Sequence, residues 1–275
     1  MTHTPTLPAT GASSSAEPFV LSLQDVTMRF GGVTAVSELC LDLPKGIIAG
    51  LIGPNGAGKT TVFNLITGFY TPLSGTVHFQ QSNITGVPPH MICKVGIART
   101  FQNIRLFTNA TTLENVMVGG HLRQKSSWWM PPLQLPGVRR EEKRLRDSYM
   151  ELLDRLQLAD VAHLRASSLP YGAQRRLEIA RALATNPSLL LLDEPAAGMN
   201  PQESSTLMEL IRDIQKSFSL TILLIEHDMK VVMGVCEHIW VLEYGVLIAD
   251  GKPEDIRGDS RVIEAYLGEE YLKYA

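Results

Sequence analysis

From Phe19 onward the chain alternates short apolar, β-rich runs with stretches of helical spacing, the pattern of an α/β protein. Val20 to Phe30 reads as a strand pair leading to a turn at Gly31-Gly32. Gly46 to Leu51 is an apolar strand, Lys59 to Thr67 a helix stopped by Gly68, and Thr76 to Phe79 another strand. Leu189 to Leu192 is an unbroken leucine run, the texture of a parallel strand buried on both faces. Leu220 to Ile225 is a second strand of that kind. Asn200-Pro201 supplies an N-cap and a proline at the first helical position, which predicts a helix to about Lys216. Ile239 to Asp250 reads as a hairpin turning at Tyr244-Gly245.

The middle of the chain has another character. Thr111-Thr112-Leu113-Glu114 is a capping box that opens a helix. A stretch with Trp128, Trp129 and several prolines follows up to Gly137, and then Arg139 to Gln157 is a charged helix. The basic run Arg139 to Arg146 reads as a solvated helix face. A helical insertion over about 99–168 therefore interrupts one α/β domain spanning 19–268, whose core is about 19–98 and 169–268. Residues 1–18 are expected to be a disordered lead-in and 269–275 a tail.

Composition narrows the class. Of 275 residues, 44% are hydrophobic and 19% charged, which excludes wholesale disorder and fibrous folds. A net charge of -3 offers no basic field for nucleic acid. Cys40, Cys93 and Cys236 are odd in number and lack CxxC spacing, against a disulfide framework or a zinc site. No run reaches the length of about 18 apolar residues that a membrane span needs. Even Val231 to Ala249 carries Glu237, His238 and Glu243. Met1 to Pro18 has neither Lys nor Arg and no apolar core, unlike a signal or transit peptide, so the expected location is the cytoplasm.

The strongest chemical signal is Gly53-Pro54-Asn55-Gly56-Ala57-Gly58-Lys59-Thr60, a GxxxxGK[ST] phosphate loop between a predicted strand and a predicted helix. Glycines let backbone N–H groups close around phosphate oxygens, and the helix adds its positive end. Lys59 is placed for the β- and γ-phosphates and the Thr60 hydroxyl for Mg²⁺. Asp193 and Glu194 follow the leucine strand at the sheet edge where α/β proteins collect ligands. Alone, two acids after such a strand are more often just a strand end meeting solvent. Beside a phosphate loop, Asp193 suits Mg²⁺, and Glu194 suits orienting or deprotonating an attacking water. His227 ends the next strand, within reach of a γ-phosphate. A lone histidine there also fits a structural role. Gln102, in Arg99-Thr100-Phe101-Gln102, carries no signal of its own beyond a polar loop residue.

Together these motifs are similar to those of ABC-transporter ATPase subunits over Val20 to Leu267. In order stand the phosphate loop, the Gln102 loop, Leu169-Pro170-Tyr171-Gly172-Ala173-Gln174-Arg175-Arg176, the strand ending at Glu194, and His227. They resemble that family's Walker A, Q-loop, signature, Walker B and switch histidine. Ala196 to Pro201, Leu224 to Met229 and Val262 to Gly268 resemble the LivG-type ATP-binding subunit of branched-chain amino acid importers.

The resemblance implies a P-loop NTPase core with an antiparallel β-subdomain and an inserted helical subdomain, with ATP and Mg²⁺ as cofactors. It implies a head-to-tail dimer with a second ABC ATPase subunit, paralogue or self. Each ATP then lies between one chain's phosphate loop and the other's signature. By that resemblance Lys59, Gln102, Glu194 and His227 are catalytic. Phe30 stacks on adenine (otherwise it is a strand-end core residue). Gly53 to Thr61 cradle one nucleotide, while Pro170, Tyr171, Gly172 and Gln174 meet the partner's. Thr60, Gln102 and Asp193 serve the metal. Partners would be transmembrane permease subunits and, indirectly, a periplasmic substrate-binding protein. The subunit would sit peripherally on the cytoplasmic face of the inner membrane.

Three positions depart from the family pattern. Pro170 stands where the signature usually has serine, with Tyr171 in place of the next glycine, and Asn200 replaces an aspartate common after Walker B. The motifs are shared by ATPase subunits of urea or amide importers and of lipid exporters. A soluble ABC ATPase of translation or DNA repair usually has two cassettes or a long coiled coil, and this chain has a single motif set.

Overall fold

The computed structural model describes residues 19–121 and 136–266, the latter with backbone alone over 136–142. Two sheets organise these residues. A four-stranded antiparallel sheet has the order β2-β1-β4-β5, from β1 (Phe19–Phe30), β2 (Val33–Pro44), β4 (Ser74–Phe79) and β5 (Ser82–Asn83). A six-stranded sheet has the order β10-β9-β3-β8-β7-β6. Its strands are β3 (Ile48–Ile52), β6 (Ile97–Arg99), β7 (Leu189–Asp193), β8 (Thr221–Ile225), β9 (His238–Glu243) and β10 (Val246–Gly251). The first five run parallel, and β10 returns antiparallel to β9.

Alternation along the central strands explains why they are apolar throughout. Leu189, Leu191, Leu223 and Ile225 face the antiparallel sheet and α1 (Lys59–Ile66), packing with Leu21, Leu41 and Phe63. Leu190, Leu192, Ile222 and Leu224 face the other way, toward α5 (Tyr171–Leu183) and α6 (Pro201–Phe218). Both faces of the sheet are covered. The second core also takes in α3 (Thr112–Gly120) and α4 (Pro136–Arg155) through Val116, Leu152 and Leu153. Shorter helices complete the fold: α2 (Pro89–Val95), α7 (Met229–Val235), α8 (Pro253–Gly258) and a last segment over 260–266.

Local chemistry accounts for the element ends. Thr111 and Glu114 form the capping box of α3, with Glu114 N–H donating to Thr111 Oγ1 at 3.2 Å and Thr111 N–H to Glu114 Oε2 at 2.7 Å. Asn200 caps α6 reciprocally with Glu203. The β9–β10 hairpin turns at Tyr244 (φ 46°) and Gly245 (φ 82°), a pair of left-handed residues matched to strand twist.

Two expectations need correction. The strand pair predicted over Val20 to Phe30 is one continuous strand. Asp25 has φ 51°, and the register shifts there between Leu23 and Val26, so the apolar alternation breaks without the strand ending. Its hairpin partner, β2, was not among the predicted elements. Arg99, the expected start of the helical insertion, closes β6 inside the parallel sheet. The expected lead-in 1–18, the Trp128-Trp129 stretch and the tail 269–275 lie outside the described residues.

Candidate active site

The phosphate loop leaves the C-terminal end of β3, at the centre of the parallel sheet, and enters α1 at Lys59. Gly53 (φ 146°) and Gly58 (φ 102°) are required by close approach as well as by conformation. A Cβ on Gly53 would strike the Leu242 carbonyl, and one on Gly58 the Ala35 carbonyl. The loop is thus braced from both sides, by β9 and by β2. Gly245 N–H adds a hydrogen bond to Ala57 O at 2.9 Å. Pro54 and Ala57 are buried, while Asn55, Gly56 and Thr60 are exposed and Thr61 is half-buried.

Lys59 curls back over its own loop and donates from Nζ to the carbonyls of Gly53 (2.7 Å) and Pro54 (2.8 Å). No acidic residue stands in the first turn of α1, so the positive helix end keeps its field. Glycine cradle, ammonium and helix end together suit a polyphosphate. Phe30 lies at the end of β1, 42% exposed, with its ring edge-on to Tyr70 at 5.1 Å between centroids. That exposure removes the reading of Phe30 as a core residue.

The acidic pair sits where β7 ends. Asp193 is buried, and its Oδ2 is 2.8 Å from Arg99 Nη2. Arg99 Nη1 also donates to Asn64 Oδ1 at 2.7 Å, which fixes the guanidinium. Glu194 adopts φ 47°, a left-handed conformation uncommon for a residue with a side chain and frequent at functional sites. Its N–H donates to Ile225 O at 2.9 Å. Its carboxylate Oε2 accepts from Gln102 Nε2 at 2.9 Å and lies 3.8 Å from His227 Nδ1. Gly53, Asn55, Gln102, Glu194 and His227 line one side of a cavity of about 860 Å³. Sequence-distant candidates are therefore gathered at one end of the sheet.

The signature residues are not part of that cavity. Pro170 is the N-cap of α5 and contributes no side-chain cap, and Tyr171 and Gly172 begin the helix. Gln174 donates from Nε2 to Leu169 O at 2.8 Å. Pro170 and Gly172 line a separate hollow with Met199 and Gln202, to which no phosphate-loop residue contributes.

This geometry has close counterparts among known proteins. The family model described as ABC transporter matches residues 36–197, and that of the branched-chain amino acid ATP-binding cassette transporter matches 246–271. The high-affinity branched-chain amino acid transport ATP-binding protein LivG of Salmonella typhimurium is 47% identical over 250 residues, covering 91% of this chain and 98% of its own. BraF of Pseudomonas aeruginosa, described in the same words, is 45% identical over equal coverage. The chain belongs to the ABC-transporter ATP-binding family.

Among solved ABC ATPases, the ADP conformation of MJ1267, an ATP-binding cassette of an ABC transporter, superposes with TM-score 0.80 at 30% identity. That match covers 91% of this chain and 99% of MJ1267. A dimeric post-hydrolysis cassette, MJ0796 bound to ADP and Pi, superposes with TM-score 0.70 at 25% identity, over 85% of this chain and 98% of that one. Members of the family bind nucleotide, and ATP hydrolysis is the family's activity.

Several residues of this ABC cassette's site gave no signal of their own in the sequence. Arg99 is one. Glu226, only 1% exposed, is another: its Oε1 accepts from Ala196 N–H at 2.8 Å and its Oε2 from His227 N–H at 3.3 Å. It thereby ties the loop after Glu194 to the strand end that presents His227. Burial raises the Glu226 carboxyl above its ordinary value of 4.5, against the opposing pull of the Ala196 N–H and the His227 side chain. Arg175 and Glu178, on the signature helix, form an ion pair at 3.0 Å with both side chains at most 1% exposed.

Proposed function

We propose that this chain is the ATP-hydrolysing motor subunit of an importer of branched-chain amino acids. The observation that carries the hydrolytic part is the Gln102–Glu194 contact at 2.9 Å, on the rim of the cavity that the phosphate loop also lines. The backbone of Gly53 to Gly58 and the side chains of Lys59, Thr60 and Thr61 take the phosphates, and Phe30 stacks on adenine. Thr60 Oγ1, the amide oxygen of Gln102 and the Asp193 oxygen not engaged by Arg99 are hard donors that would hold Mg²⁺. Mg²⁺ supplies charge neutralisation at the phosphates. Glu194 orients or deprotonates the attacking water, with Gln102 holding the carboxylate, and His227 contacts the γ-phosphate. The separate position of Pro170, Tyr171, Gly172 and Gln174 supports a role toward the nucleotide of a second ATPase subunit in a head-to-tail dimer.

Partners follow from the surface beside the Gln102 loop. A groove of about 430 Å³ between the sheet and the helical insertion is lined by Phe69, Phe101, Phe107 and Val118 among others, and suits permease subunits. Among the described residues no helix is long and apolar enough to cross a membrane. The likeness to ATP-binding subunits of membrane transporters supports peripheral attachment at the cytoplasmic face of the inner membrane, with a periplasmic substrate-binding protein engaged only indirectly. The cargo reading is supported by the LivG and BraF likenesses and by the 246–271 match. Uptake of labelled leucine, isoleucine and valine by cells carrying this chain and its permeases tests it. Glu194→Gln should abolish uptake while nucleotide still binds. Unchanged branched-chain uptake after deletion of the chain would refute the assignment.

A further inference from the structure

Tyr171 closes a hydrogen-bonded circuit that reaches both residues of the hydrolytic pair. Its hydroxyl donates to Ala197 O at 3.0 Å and accepts from Arg175 Nη2 at 3.2 Å. The same guanidinium donates to Phe101 O at 2.8 Å and to Gln102 O at 2.9 Å. Glu178 anchors Arg175 and accepts from Phe101 N–H at 3.3 Å and Arg105 N–H at 3.4 Å. On the other side, Ala197 N–H donates to Glu194 O at 3.2 Å. Starting from Tyr171, one arm thus runs to the loop that carries Glu194 and the other to the loop that carries Gln102. The two arms meet where Gln102 Nε2 donates to Glu194 Oε2. A glycine at position 171 offers no hydroxyl and opens the circuit.

We infer that Tyr171 and Arg175 are positioning residues that set the Gln102–Glu194 contact according to where the signature helix lies. Tyr171 is exposed at the helix start while Arg175 is fully buried, so one end of the device is free to sense what docks on the signature and the other is fixed to the Gln102 loop. Nucleotide held by the partner subunit displaces the Tyr171 hydroxyl and, through it, the loop of Ala197 and Glu194. The occupancy of one site is thereby passed to the hydrolytic geometry of the other within a single chain. This rests on the reading of Glu194 and Gln102 as the hydrolytic pair.

The test uses the assembled transporter with Tyr171→Phe, Arg175→Lys and Glu194→Gln. Tyr171→Phe keeps the exposed ring and removes only the hydroxyl. It should lower kcat about tenfold, as loss of such a bond predicts. The KM for ATP should stay within about twofold, and the Hill coefficient in ATP should fall toward one. Arg175→Lys, which keeps the charge but cannot span two carbonyls, should act alike, and the double variant should be no worse than either single one. Wild-type kcat and cooperativity in Tyr171→Phe would overturn the inference, as would a parallel loss of nucleotide binding and thermal stability. Wild-type turnover in Glu194→Gln would instead overturn the underlying reading, and the inference with it.

Discussion

Arg99 and Asp193 form an ion pair at 2.8 Å whose side chains are 6% and 5% exposed. It joins the edge strand β6 to the end of β7 at the nucleotide site. Arg99 also lies 5.4 Å from the centroid of the Phe63 ring and 5.2 Å from that of Phe101, so it cements α1 and the Gln102 loop to the sheet. Removing one charge leaves the other buried without its partner. Arg99→Met should cost about 3–5 kcal/mol in urea unfolding, with the double change Arg99→Met, Asp193→Leu recovering most of it. Equal stabilities of wild type and Arg99→Met would contradict the pair's role.

Lys59→Ala removes the donor to two loop carbonyls and the charge facing a nucleotide. The nucleotide-free protein should lose little, about 1 kcal/mol, whereas the rise in Tm produced by Mg-ATP should disappear. Differential scanning calorimetry with and without nucleotide reads both. A full ATP-dependent rise in the variant would remove Lys59 from the phosphate site.

Glu226 gives a pH dependence. Its folded-state pKa is raised above the ordinary 4.5. Its contribution to stability is therefore fully present below about pH 4.5 and is lost as the pH rises through the folded value. Glu226→Gln does not titrate. The stability of wild type relative to Glu226→Gln should fall as pH rises from about 4.5, then level off. A difference that stays flat, or grows in favour of wild type, would show the carboxyl is not held up by burial.

Phe30→Ala should weaken ATP binding about fivefold to tenfold, the worth of a stacked ring, while leaving Mg²⁺ dependence alone. Because a ring face does not read base edges, GTP should compete with ATP within about tenfold. Fluorescent-nucleotide titration decides both, and strict rejection of GTP would point to a donor or acceptor at the base.

Pro170→Ser restores a hydroxyl at the start of α5. One hydrogen bond to a charged phosphate is worth about 1.5–3 kcal/mol. Hydrolysis of the ATP facing this signature should therefore rise at least about tenfold where that site limits turnover. Separate single-turnover measurements on the two sites of the assembled transporter read the change. No change at the facing site would mean the proline costs nothing.

What could be read from the sequence was whatever depends on neighbours along the chain. The phosphate loop, the capping box at Thr111, the N-cap at Asn200 and the Tyr244-Gly245 turn are each set within a few residues. Leu189 to Leu192 announced burial on both faces by having no polar side. What failed was non-local or averaged out. Asp25 interrupts the alternation of β1 and made one strand look like two. The Arg99–Asp193 pair spans 94 residues. In Arg175-Arg176 nothing in the sequence says which arginine is fully buried, yet only Arg175 is. Glu226 sits beside His227 in a run that looks wholly polar, and only the position of β8 at the sheet's centre shows that it points inward.

The bracing of the phosphate loop also bears on the order in which the protein can be made. β3 emerges from the ribosome early, yet its neighbours in the sheet, β8 and β9, follow about 170 and 190 residues later. The carbonyl of Leu242 and the N–H of Gly245, which hold Gly53 and Ala57, arrive later still. At about 5–20 residues per second the loop waits roughly 10–40 s for its supports. A nascent chain that stalls or is cut before Gly245 carries every residue of the nucleotide motif and still lacks the frame that shapes it. The shaping of the phosphate loop therefore waits on the last hairpin, although every residue of its motif was made long before.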